Sequence, residues 1–160
     1  MDTVPYANSL SFLLSQVGAH SARRFAEALV GAGLTPREFA ALSNLVEFGP
    51  RNQQQLADEL GMHRNNVVAL VDALEAAKLV RRERNPRDRR SFVLQLTATG
   101  RRRLERAARI VPDLDHELGA VLTKSEQAAL VRALQTLADT AGLTPGIHPH
   151  LASNRHTDRT

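Results

Sequence analysis

The hydrophobic period of this chain changes once and then changes back. Up to Leu79, apolar residues recur three and four positions apart, the spacing of amphipathic helices. Around "RRERNPRDRR", Arg81 to Arg90, the helical spacing stops. Just beyond it, Phe92, Leu94 and Leu96 alternate with Val93 and Gln95, the period of a half-buried strand. Helical spacing returns after Thr97. "LVRRER" and "SFVLQLT" thus flank an Asn-Pro turn, and two short strands around such a turn make a hairpin. The fold is expected to be mostly α with one small β-hairpin.

Helix boundaries follow from local signals. Leu10, Leu13, Leu14, Val17, Phe25, Ala28 and Leu29 form the first apolar stripe, and Gly31 or Gly33 can take the left-handed conformation that ends it. Thr35, Pro36 and Glu38 make a capping box with proline at the first helical position, and Gly49-Pro50 stops that helix. Asn52 and Gln55 start a short third helix that Gly61 ends. The fourth carries Val67, Leu70, Val71 and Leu74 inward, preceded by the donors His63, Arg64, Asn65 and Asn66. Two helices joined by a tight glycine turn, the second opening on exposed donors, describe a helix-turn-helix. A hairpin directly after it is a wing. One long helix follows, kinked at Pro112. A last helix opens on a Thr123/Glu126 box and is expected to bury Leu130, Val131, Leu134, Leu137 and Ala141. The first helix and the last two lie outside a minimal winged helix, and a second copy of the chain is the economical cover for their stripes. The expected organisation is a dimerisation helix over 1–33 and a DNA-binding region over 34–97. Within that region the reading helices span about 52–61 and 63–77, and the wing spans 80–97. Dimerisation helices over 98–142 and a tail over 143–160 complete it.

Composition narrows the class. At 160 residues, with 42% hydrophobic but only 4% aromatic residues, the core is built from Leu, Val and Ala, which suits packed helices. Of 21 basic residues only Lys78 and Lys124 are lysine. Between Arg81 and Arg106 ten arginines stand against three acids, a local surplus larger than the net charge of +4 on the whole chain. Such a stripe is an electrostatic footprint for polyanions. There is no cysteine, which excludes disulfides and thiolate chemistry. With no apolar run near the ~20 residues that span a bilayer, and no basic-then-apolar leader, a cytoplasmic protein without membrane contact is expected. No phosphate-cradling glycine loop or nucleophile elbow is present, so an enzyme is not expected, nor a cofactor. His148 and His150 flank Pro149, and His116 stands in "DLDHE"; without a convergent ligand set no metal is expected.

Three stretches resemble the multiple antibiotic resistance regulator (MarR) family of bacterial transcription factors. "LTPREFAAL" is similar to the family's second-helix opening, and "QQLADELGMHRNNVVALVDALEAAKLVRR" to its two reading helices. "NPRDRRSFVLQLTATG" is similar to its wing, with Asp-x-Arg at Asp88 and Arg90 and Leu-Thr-x-x-Gly opening the next helix. The resemblance runs from about Leu10 to Ala141. Two positions depart from the pattern: His63 stands where Ser or Thr commonly caps the recognition helix, and Lys78 where Gly usually closes it.

The resemblance implies a winged helix-turn-helix flanked by dimerisation helices. It further implies a homodimer on a pseudo-palindromic double-stranded DNA operator, with one recognition helix per major groove. His63, Arg64, Asn65 and Asn66 are then the candidate base readers, since Arg suits the guanine acceptors and Asn the acceptor-donor pair of adenine. The alternative is that they only cap the helix and touch phosphate. Arg51, Asn52 and Gln53, at the start of the preceding helix, are candidates for the DNA backbone. In the wing, Arg90 is the first candidate for the minor groove and Arg89 the second. Arg84 and Arg87, like Arg81, are phosphate contacts or field, and Asp88 is expected to pair with a neighbouring arginine and hold the tip. Arg101 to Arg103 fit either the DNA backbone or acids across a dimer. The family is often a repressor released by small aromatic or phenolic anions. A carried-over effector pocket here would use His20, Arg24, Phe39 and Ser43, with a hydrogen bond or ion pair at the dimer interface as the competing role. The rival function is an architectural DNA-binding protein that answers to no ligand; another is an interaction module that uses the wing on an acidic protein.

Overall fold

Each expected helix starts where a side chain takes over amides that a helix leaves unpaired. The computed structural model describes residues 6–86 and 88–143, with the backbone but not the side chain of Arg89. After a 3-10 turn at Tyr6–Asn8 come α1 (Leu10–Ala32), α2 (Pro36–Glu47), α3 (Gln53–Leu60) and α4 (Arg64–Ala76). The antiparallel strands β1 (Val80–Asn85) and β2 (Asp88–Leu96) follow, then α5 (Ala98–Ala108), α6 (Ile110–Gly119) and α7 (Lys124–Thr140). Complete capping boxes form at Thr35/Glu38, Asn52/Gln55 and Thr123/Glu126. Of the two glycines at the end of α1, Gly33 takes the left-handed cap at φ 68°. Lys78 adopts φ 59° where a glycine would be unstrained. Its carbonyl accepts from Thr97 Oγ1 at 2.7 Å, and the same hydroxyl caps α5 through Gly100 N at 2.9 Å.

The long helix expected after the wing is two helices. It breaks at Arg109, three residues before Pro112. Pro112 has no N–H for the Ala108 carbonyl, and its ring crowds that carbonyl, so the disruption falls one turn upstream of the proline.

The core lies under the helix-turn-helix. Leu29, Leu42, Leu56, Val67, Val71, Leu74, Leu79 and Leu94 are its largest fully buried side chains. They come from α1, α2, α3, α4, the α4–β1 junction and β2, so one cluster fixes the reading helices and the base of the wing together. Phe25, Phe39 and Leu96 pack at its margin. Arg103 and Arg106 on α5 donate to the carbonyls of Gly33 and Ala32, placing two cations at the negative end of α1. Arg103 therefore has a role inside the fold that differs from both roles the sequence suggests.

The expectation that α7 buries its stripe does not hold within one chain. None of its residues is buried, and Leu130, Val131, Leu134 and Leu137 are 41–52% exposed because, among the described residues, no element of the same chain lies over that face. Leu10, Leu13, Leu14 and Val17 on α1 are exposed as well. Among the described residues no helix is long and apolar enough to cross a membrane.

Candidate nucleic-acid interface

His63 has the backbone of an N-cap, and its Nδ1 accepts from Asn65 N at 3.2 Å. The ring therefore does the work of the missing Ser or Thr hydroxyl, and the capping role foreseen as an alternative is present. Arg64, Asn65 and Asn66 project from the exposed first turn of α4. At the start of α3, Asn52 and Gln55 consume each other's amides. The amides of Gln53 and Gln54 are left without a partner among the described residues.

Arg51 is differently engaged. Its Nε donates to Glu59 at 2.8 Å, its guanidinium lies 5.4 Å from the Phe48 ring centroid, and its backbone pairs with Leu94 through N–H···O bonds of 2.7 and 3.3 Å. That isolated antiparallel bridge attaches Arg51, two residues before α3, to the edge of the wing. It ties the entrance of the helix-turn-helix to β2.

The wing carries its own staples. The strands pair from Val80↔Leu96 to Arg84↔Phe92, and the register shifts between Arg84 and Asn85. Asp88 Oδ1 accepts from the Arg90 backbone N at 3.0 Å, Ser91 Oγ donates to the Asp88 carbonyl, and Asn85 Nδ2 donates to Ser91 Oγ. Asp88 thus holds the tip through the main chain; its expected pairing with a neighbouring arginine involves the side chains of Arg87 and Arg89, which lie outside the described residues. Arg90 is exposed at this tip. Arg87 and the side chain of Arg89 lie outside the described residues. Arg81 bridges to Glu83 at 2.7 Å and to Gln95 at 2.9 Å.

Arg82 went unassigned in the sequence, and it joins wing to recognition helix. Its guanidinium meets Asp72 at 2.5 Å and Glu75 on α4, and the Asp72 contact does most to raise its pKa above the ordinary value. The signal lay in two acids three apart on the rear of the fourth helix, unreadable without knowing which arginine returns there.

These parts converge on one cleft of about 330 Å³, lined by Asn52, Gln53, Gln54, Arg64, Phe92 and Leu94, with Arg82 and Ser91 at the wing side. The starts of both reading helices and the wing therefore share a single face. Phe92, placed by periodicity on the inner side of its strand, is 51% exposed in this cleft, because β2 runs out past the core beyond Leu94.

The residues considered for an effector fall elsewhere. Arg24 donates to both carboxylate oxygens of Glu117 on α6, at 3.1 and 3.0 Å, and to Glu27 at 2.9 Å. His20 Nδ1 lies 3.3 Å from Arg23. Phe39 meets Phe25 edge-on at 5.4 Å, and Ser43 is half-buried. Arg24 thus joins α1 to α6 through an ion pair within one chain rather than at a dimer interface. Its hydrogen bonds hold Glu117 below the usual carboxylate range. A depressed carboxylate stabilises the fold above its unfolded pKa and ceases to as pH falls through its folded one. Urea midpoints should therefore fall below pH 4.5, the ordinary glutamate value, and fall less steeply in Glu117→Gln. Parallel pH profiles would remove this pair from the acid response. Among the described residues no group of three or more His, Asp or Glu could hold a metal ion; His148 and His150 lie outside them.

A sequence model of the MarR family matches residues 32–91, the end of α1 through most of the wing. An HTH-type transcriptional repressor of Mycobacterium tuberculosis is 31% identical over 128 residues, which cover 80% of this chain and 92% of that protein. The chain belongs to the MarR family. The MarR-family fold extends over nearly all of it: the transcriptional repressor CouR, solved on a 23-mer DNA duplex, is similar with a TM-score of 0.73 and 33% identity over 86% of this chain and 99% of that one. CouR solved with p-coumaroyl-CoA is similar at 0.69 and 32%, over 82% and 93%. Both relatives are transcriptional repressors.

Proposed function

We propose that this protein is a homodimeric, sequence-specific DNA-binding repressor. The observation that carries the reading is the shared face: Arg64 at the start of α4, Gln53 and Gln54 at the start of α3, and Arg82, Ser91 and Phe92 of the wing border one cleft. In this reading α4 enters the major groove, with Arg64, Asn65 and Asn66 at base edges and His63 capping the helix beside them. Gln53 and Gln54 amides, with the Asn52 box behind them, bind phosphate. Arg84 and Arg87 add to the field, and Arg89 or Arg90 reaches the minor groove. The exposed stripes of α1 and α7 support a second copy as their cover, which sets two recognition helices about one turn, roughly 34–36 Å, apart.

An effector anion is the second part of the proposal. CouR with p-coumaroyl-CoA supports an acidic aromatic ligand as the class. Here it would act at Arg24 by displacing Glu117, loosening α1 from α6 beside Phe39 and Ser43. It shifts the DNA-competent population only by its differential affinity for the two arrangements.

Fluorescence anisotropy with the duplex upstream of the protein's own gene, a scrambled duplex and a salt series tests the reading. A regulator should prefer its operator by ~10³ or more, with affinity falling steeply as salt rises. Equal affinity for random duplexes enriched and unenriched by the protein would instead indicate an architectural role. Failure to bind DNA at low salt would leave the wing for an acidic protein.

A further inference from the structure

A hairpin this rich in arginine gives Phe92 little apolar company. The ring is half exposed, the Arg84 guanidinium stands 5.5 Å from its centroid, and buried Leu94 forms the floor behind it. The rest of the cleft wall is polar: Asn52, Gln53, Gln54 and Arg64. An apolar ring enclosed by phosphate-type donors is a mixed surface, and its ligand should be mixed in the same way.

Duplex geometry identifies such a ligand. One sugar-phosphate strand separates a major groove from the adjacent minor groove. If α4 occupies the first and the wing tip the second, that strand must cross the cleft between them. Its phosphates meet amides and arginine, while the carbon face of its deoxyribose meets a ring. We propose that this cleft is a deoxyribose-phosphate subsite in which the Phe92 ring packs against one sugar per half-site and selects DNA over RNA at that nucleotide. A ribose there would press its 2′-hydroxyl, a donor and acceptor, against an apolar surface and lose its water without a partner. The inference rests on the DNA-binding reading above, and it adds a residue that reads the sugar rather than the base or the phosphate.

Salt dependence separates this role from an electrostatic one. A sugar contact neutralises no phosphate and releases no counterion, so losing it leaves the salt slope unchanged. The probe is a duplex selected from a random library by the wild-type protein, with Phe92→Ala, Phe92→Leu and wild type compared across a salt series. Half-exposed aromatic burial predicts about a tenfold loss in Phe92→Ala at unchanged slope, and substantial recovery in Phe92→Leu. Equal thermal midpoints for the three proteins exclude a folding origin. A second set of duplexes carries one ribonucleotide at each position in turn. Wild type should be weakened at one position per half-site, and Phe92→Ala should not distinguish ribose from deoxyribose there. Unchanged affinity in Phe92→Ala, a shallower slope, or the same ribose penalty in both proteins overturns the subsite. Wild type that binds no duplex at low salt overturns the DNA-binding reading itself, a different result from any of these.

Discussion

Gly100→Ala should destabilise the protein by ~3 kcal/mol or more, beyond the middle of the range for ordinary overpacking. A Cβ at Gly100 would stand 2.1 Å from the Leu79 carbonyl oxygen and 2.9 Å from Leu96 Cδ1. The nearer obstacle is backbone, so no rotamer change relieves it. That carbonyl also accepts from Thr97 N at 3.0 Å and from the Thr97 hydroxyl. The methyl would therefore push α5 away from the junction where α4 turns into β1, breaking a cap as well as a contact. Gly31, with nothing within 4 Å of its Cβ, supplies the matched control. Urea unfolding of the two alanine variants measures the contrast. If Gly100→Ala unfolds at the wild-type midpoint, the close approach of α5 to Leu79 is not a feature of the native protein.

Arg90→Ala should weaken operator binding by on the order of 1–3 kcal/mol while leaving the oligomeric state and the melting temperature unchanged. Arg90 is exposed, and its backbone N–H is held by Asp88 Oδ1, so the side chain departs from a fixed point. A guanidinium in a narrow A·T minor groove meets enhanced negative potential and gives up water once, having little conformational freedom left to lose in its main chain. The salt slope should also fall by about one, as for the loss of one cation near phosphate. Anisotropy at several salt concentrations reads both quantities. Unchanged affinity would move the minor-groove contact elsewhere on the wing, and equal losses on operator and scrambled duplexes would make Arg90 part of the field only.

The contrast between Arg90 and Arg82 illustrates how much of the site was legible in advance. Both are arginines of one charged run, eight residues apart. The motif at Asp88 and Arg90 lies at the hairpin tip, because a tip is made by neighbours in sequence. Arg82 is consumed by Asp72 and Glu75, and Arg51 by Glu59. Nothing in a run of like residues distinguishes the guanidinium that will be consumed from the one that will remain exposed. Phe92 has the same history. Alternation assigns it to the face of Leu94, and the two do share a face, but the core ends between them.

The amino-acid sequence by itself determined where the elements begin and end. Thr35 with Glu38, Asn52 with Gln55 and Thr123 with Glu126 act across three residues, so their caps form wherever the rest of the chain goes. The change of hydrophobic period likewise set one hairpin among helices, and Pro112 required an interruption one turn upstream. Only the tertiary structure decided which charges remain available, that Gly100 faces the Leu79 carbonyl, that Arg24 joins α1 to Glu117 ninety-three positions away, and that the stripe of α7 finds no cover among the described residues of its own chain. Caps and periods are properties of adjacent residues and act over a few ångströms along the backbone. Pairing between distant side chains depends on where the packed core brings two helices, and that position is a collective result of every buried residue.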